Sequence, residues 1–319
     1  MATAPSVYLL GAHVSDPRYR GFDAVDTASL LGRRDVYRDF YPSEADGESP
    51  RLAGVWRPLR VVGPVRTFND VPWLGMYIPT FSPRAVAALR DLLEPNGELL
   101  PLVSDLGTYH AYNVTTVADV LDYDAADVVW HDVTPWWMDM ERYELHAGRL
   151  DGLTVFRIRE DPHGVYVTEP FVRRVRAAGL KGFAFHLVWP VPADTTWREL
   201  RTADWQRHHR AGLPPGRTLD DECVSLDLPA LPGRLAETDQ TAADRVVAAL
   251  DAALTDRHRE APPIGWPVNI AHEGDRWTIL LACPDADALL DHLAPILPTL
   301  PWPAPVTPTK HAVPYDHLL

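Results

Sequence analysis

Pro214-Pro215-Gly216 marks a point across which no helix or strand can continue. Two successive ring-locked residues lack donor N–H groups, and the glycine after them carries no side chain to favour restarting the same element. The chain has 319 residues, room for about two domains at ~150 residues each. It is therefore expected to divide here, into residues 1–213 and 216–319.

Beyond the break the sequence reads as a regular series. CVSLDL has the composition of a strand. ADRVVAALDAALTD places Val246, Val247, Leu250 and Leu254 on one helical face. WPVNIAHEGDRWTILLAC reads as two strands around the Gly274-Asp275 turn. DADALLDHLAPIL reads as a second helix capped by Asp285, and PVTPTKHAV as a last strand. The order β-α-β-β-α-β is that of a ferredoxin-like domain, expected over 216–319.

Before the break the strongest local signals begin near Tyr77. Ser82-Pro83 supplies an N-cap and a proline at the first helical position. Val86, Leu89, Leu92 and Leu93 follow at helical spacing, and Asn96-Gly97 stops the run before the short strand LLPLV. LTVFRI reads as a strand, Asp161-Pro162-His163-Gly164 as a turn, and Thr168 as the cap of a helix that ends at Gly179. FAFHLVW is apolar on both faces, as in a strand covered on each side. Pro58 confines the run LAGVWRPLRVV to an edge or breaks it. From 190 to 217 the pattern dissolves into a polar connector. The expected class is thus α+β: a mixed α+β domain over 1–213, then the ferredoxin-like one.

Charge narrows the partners. The formal net charge is -14 and the sequence pI is near 5.3, which argues against nucleic acid. Residues 115–145 hold eight acids against the single base Arg142, and residues 215–319 hold sixteen acids against seven bases. The N-terminus has no Lys or Arg before its apolar residues, and no run approaches the ~18 apolar residues of a membrane span. Cys223 and Cys283 sit in strand-like runs and read as small buried thiols. A reducing cytoplasm, with no membrane partner, is the expected setting.

Catalytic signatures are absent. The chain has no G-x-S-x-G, no G-x-G-x-x-G, no G-x-x-x-x-G-K, no C-x-x-C and no H-E-x-x-H. His208-His209 lacks the spacing that converges ligands on one face, and His186 reads as a core histidine, so neither a metal nor a cofactor is expected. One segment, residues 130–144, stands out by composition. Trp130, Asp132, Trp136, Trp137, Asp139, Glu141 and Tyr143 form a dense aromatic and acidic run around Pro135. Trp and Tyr are enriched at the centres of protein interfaces, and acids around them steer a basic partner. The competing reading buries the aromatics in the core and leaves the acids to water.

Four blocks then stand in order: FSPRAVAALRDLLEPNGELLPL, YHAYNVTTVADVLDYDAADVVW, RLDGLTVFRIRE and VYVTEPFVRRVRAAGLKGFAFHLVW. Over residues 77–189, about a third of the chain, this set resembles a bacterial family, immunity protein family eleven. The resemblance implies a protein made beside a toxin in a polymorphic-toxin or secretion-delivered system, which binds that toxin so that the producer survives. It implies no catalytic residues. The expected function is stoichiometric neutralisation of a cognate protein toxin, basic on its contacted face. The alternatives are a carboxylate-based hydrolase, which would bring two acids together in a pocket, and a scaffolding component of a delivery apparatus.

Overall fold

The computed structural model describes residues 5–12, 16–42, 48–75, 77–130, 138–210, 213, 218–229, 236–273 and 276–314. Over these residues the protein is α+β. It divides into two compact units. One runs from Tyr19 to Gln206 and includes the N-terminal strand; the other runs from Arg207 onward and includes Asp16–Arg18. Pro214-Pro215-Gly216 lies outside the described residues.

In the first unit β1 (Val7–Ala12), β2 (Asp23–Ala24), β3 (Leu59–Val62) and β4 (Thr80–Phe81) precede α1 (Pro83–Leu93). Then come β5 (Gly97–Ser104), β6 (Gly107–Val114), β7 (Val117–Ala118), β8 (Asp127–Trp130) and β9 (Met138–Arg142). β10 (Val155–Ile158), β11 (Asp161–Thr168), α2 (Glu169–Ala177), β12 (Phe183–Trp189) and α3 (Trp197–Arg210) follow. One sheet has the order β12-β1-β11-β10-β7 and a second the order β2-β3-β5-β6-β4, while β8 and β9 pair only with each other. All pairs are antiparallel except β10 with β7 and β3 with β5.

Local chemistry explains these elements. Ser82 accepts the Ala85 N–H and caps α1, and Ala85, Val86, Leu89 and Leu93 turn inward at the expected spacing. Pro58 lies just outside β3, which starts at Leu59. Gly179 takes φ +59 as α2 ends, and the Leu180 N–H reaches back to the Val175 carbonyl. Thr168 precedes α2 but does not cap it, because its hydroxyl donates to the Leu153 carbonyl instead.

The first sheet separates two cores. Leu10, Val155, Val165 and Val167 face the α1–α2 side with Phe171 and Val172. Val7, Phe156, Ile158, Tyr166, Val188 and Trp189 face the other side, with Met140, Tyr143 and Leu145. FAFHLVW contributes to both, as a strand apolar on two faces should. The polar stretch after it departs from the expected connector, because residues 197–210 form α3.

In the second unit the order is β13 (Glu222–Pro229), α4 (Ala236–Leu254), β14 (Trp266–Glu273), β15 (Arg276–Cys283), α5 (Ala286–Leu293) and β16 (Thr307–His311). Its sheet has the order β14-β15-β13-β16, every pair antiparallel. Val224, Leu226 and Leu228 of β13 pack with Ile279 and Leu281 of β15 and with Val246, Leu250, Leu289 and Leu293 of the helices. Asp285 accepts the Ala288 N–H and caps α5. Cys223 lies opposite Ala282 and Cys283 opposite Glu222, so the two buried thiols point to opposite faces of the sheet.

Candidate functional site

The segment 119–144 leaves the sheets through a pinned stem. Leu121 bridges Leu145, the Asp122 N–H donates to the Glu144 carbonyl at 2.9 Å, and the His146 N–H donates to the Val120 carbonyl at 2.9 Å. Leu121 and Leu145 are buried below that stem. It leads into the two-stranded pair β8–β9, in which Val129 pairs with Asp139 and Trp130 with Met138, while Val128 and Met140 pack on the core. Asp119, Asp124, Asp127 and Glu141 are exposed, as are Tyr123 and Val129.

The residues expected to form the interface separate here. Asp132, Trp136 and Trp137 lie outside the described residues, and so do the side chains of Trp130 and Asp139. Glu141 is at the surface, where its Oε1 accepts from Arg198 Nη2 at 3.2 Å. Tyr143 is a correction. It is 4% exposed, its ring meets Trp197 edge-on at 5.6 Å, and its hydroxyl lies 3.0 Å from that of Tyr166. A partner cannot reach that ring, because it is part of the core.

Tyr143 leads to a site that the sequence did not mark, the β10–β11 hairpin. Ile158 pairs with Asp161, so Arg159 and Glu160 form a two-residue tip. Phe156 pairs with Tyr166, and the uneven spacing makes residues 162–165 a bulge in β11. The expected Asp161–Gly164 turn is thus the start of a strand, although the aspartate behaves as turn chemistry predicts. Its Oδ1 accepts the N–H groups of His163 and Gly164, at 3.3 and 3.0 Å. Its Oδ2 accepts the Tyr166 hydroxyl at 2.6 Å. A Cβ on Gly164 would sit 2.2 Å from that oxygen, so the bulge needs glycine.

Around the bulge, burial dominates the ionisation behaviour. Arg157 is fully buried, and desolvation pushes its guanidinium down to about 10 against the attraction of Tyr41 and Asp161. Burial pushes the Tyr41 phenol up to about 12, and raises Tyr143 and Tyr166 as well. The His163 ring, edge-on to Tyr41 at 4.4 Å, is held below the ordinary histidine range by desolvation.

On the other flank of the tip is a polar cavity of about 640 Å³. Ser49, Arg51, Asp119, Tyr123, Arg159 and Glu160 are among the residues lining it. Glu160 is unusual for a hairpin tip, being only 4% exposed. The Tyr123 hydroxyl donates to its Oε1, and desolvation, then that contact, raises the Tyr123 pKa. Among the described residues its Oε2, which is itself closed off from solvent, has no hydrogen-bond partner, and neither does the Ser49 hydroxyl. The sequence signal for this site is slight: an acid between an apolar strand and Asp-Pro. Among the described residues no group of histidine, cysteine and carboxylate side chains is placed to hold a metal ion. Among the described residues no helix is long and apolar enough to cross a membrane.

No protein-family model matches the chain, and no curated protein matches it.

Proposed function

We propose that this chain is a bacterial immunity protein that binds a cognate toxin, delivered by a secretion or contact-dependent system, and neutralises it in the cytoplasm without chemistry of its own. One observation carries the reading. The most acidic segment of the first unit is held by a pinned stem, with Asp124 and Asp127 solvated beside exposed Tyr123 and Val129. A fixed acidic and aromatic surface suits a basic protein face and costs little ordering entropy on binding. The ordered blocks over 77–189 that resemble immunity protein family eleven support the same reading. The second unit, whose strand order and antiparallel pairing match a split β-α-β arrangement, is read as a ferredoxin-like domain.

Co-expression with the product of the neighbouring gene tests this. The two should co-purify as a stoichiometric complex, and cells carrying this chain should survive that product. A neighbour that neither harms cells nor co-purifies would refute it. A second reading, hydrolysis by paired carboxylates, is favoured by Glu160 and Asp119 lining one cavity. It requires that the purified chain turn over a substrate alone, which the immunity reading forbids.

A further inference from the structure

We propose that the open edge of β12 pairs with β12 of a second copy of this chain, joining two five-stranded sheets into one. The run FAFHLVW has the composition of a central strand, apolar on both faces, yet it is the outer strand of its sheet, paired on one side only, with β1. An edge strand turns the backbone N–H and C=O groups of every second residue outward, a pattern that another extended strand matches. The other strand edges among the described residues are blunted. β2, β4 and β7 have two residues each. β14 carries Pro267 with a register shift beside it, and β16 carries Pro308 and Lys310. β8 and β9 carry Asp127, Asp139, Glu141 and Arg142. From Phe183 to Leu187, β12 has no proline, no Asp, Glu, Lys or Arg, and an unbroken register against β1.

The side chains point to the same strand as the occupant. Phe183, Phe185 and Leu187 share one face of β12, and all three are only half-buried. The Phe183 and Phe185 rings stack at 5.9 Å, and Leu187 belongs to neither of the cores that flank the sheet. The register against β1 shifts beyond Leu187, so the regular stretch is residues 183–187, with Phe185 at its middle. Antiparallel pairing about that middle sets Phe185 against Phe185 of the second copy, with Phe183 against Leu187 on either side. On the other face Ala184 meets His186, small against large. Aromatic and aliphatic cross-strand pairs stabilise a sheet, and this register brings no two like charges opposite each other. The contact is isologous, so it closes as a two-fold dimer and leaves no β12 edge open.

Sedimentation equilibrium of the full chain, from about 1 to about 100 µM, reads the association, and amide hydrogen exchange followed by NMR locates it. The mass should rise with concentration toward twice the 35.6 kDa of one chain. Over the same range, exchange at alternate amides of residues 183–187 should slow, while amides of β10 and β11 keep their rates. Leu187→Lys places a cation against Phe183 of the second copy and should raise the dimer dissociation constant by at least about tenfold. Leu187 packs in neither core, so this variant should keep the fold, and the exchange pattern of the unaltered chain decides the matter independently of it. A chain that stays monomeric throughout, as it would if β12 took its strand from another protein, overturns the proposal. So does a dimer whose formation leaves exchange in β12 unchanged, or one that a folded Leu187→Lys variant forms as tightly as the unaltered chain.

Discussion

Removing one oxygen from Tyr166 should unfasten the site more than removing one from Tyr143. The Tyr166 hydroxyl is the middle of a chain, donating to Asp161 Oδ2 at 2.6 Å and meeting the Tyr143 hydroxyl at 3.0 Å. Tyr166→Phe removes a bond to a charged acceptor, about 1.5–3 kcal/mol, and leaves the buried Tyr143 hydroxyl without its partner, about 1–3 kcal/mol more. A loss of about 3 kcal/mol or more is therefore expected. Tyr143→Phe leaves the Tyr166–Asp161 bond whole and should cost only about 1 kcal/mol, the net value of one neutral hydrogen bond. Urea denaturation read by hydrogen exchange in β10 and β11 separates the two. With a slope of about 3 kcal/mol/M, the midpoint should fall by about 1 M for Tyr166→Phe and about 0.3 M for Tyr143→Phe. Equal shifts, or a larger one for Tyr143→Phe, would refute the idea that Tyr166 carries the connection between the bulge and the acidic segment.

Acid should weaken the first unit from near neutrality. Burial lowers His163 and His110 below their ordinary 6.5, so the unfolded chain takes up protons first; stability present above pH 6.5 is lost as pH falls below it, and His163→Asn should shrink that loss in pH-dependent melting. Alkali should act with the opposite sign. Tyr41 titrates near 12 in the fold against 10 unfolded, so stability present below pH 10 drains away between pH 10 and 12, and Tyr41→Phe should flatten that limb of a denaturation series. Leu250→Asp should unfold the second unit, because Leu250 is fully buried among Val246, Leu289 and Leu293; a cost above about 4 kcal/mol is expected, read as lost exchange protection across β13–β16.

What the sequence disclosed was local. α1 and α5 carry their own caps, Ser82 and Asp285, and each buries a periodic apolar stripe, so the start and the inner face of each were legible. The β-α-β-β-α-β series of the second unit was legible for the same reason. α3 was not, because no stripe marks it. It begins at Trp197, whose indole N–H donates to the Met140 carbonyl at 2.9 Å, 57 residues earlier. Tyr143 shows the limit of composition: tyrosine is favoured at interfaces and tolerated in cores, and only the Tyr166 hydroxyl and the Trp197 ring decide between them. Glu160 was missed because the residues that share its cavity, such as Ser49, Arg51, Asp119 and Tyr123, lie far from it in the chain.

Salt should act in opposite directions on the free protein and on its association, and that opposition follows from the acidic segment 119–144. Some of its carboxylates have cationic relief: Asp119 from Arg149 at 2.9 Å and Glu141 from Arg198 at 3.2 Å. These are exposed pairs and are worth little each. Asp124 and Asp127 make no ion pair among the described residues, and Arg142, opposite Asp127, is the single base of 115–145, so like-charge repulsion remains in this segment. A basic partner removes that repulsion as it docks, so steering and relief both favour the complex at low salt. Raising ionic strength from 0.01 M to 1 M shortens the screening length from about 30 to about 3 Å. The free protein should then melt at a higher temperature, because its self-repulsion is damped, while the association rate with the toxin falls by at least an order of magnitude. Both are measurable on one preparation, by thermal melting and by stopped-flow mixing. A melting temperature that drops with salt would mean that the surface charges are net attractive, and an unchanged association rate would remove the acids from recognition and leave exposed Tyr123 and Val129 to hold the partner.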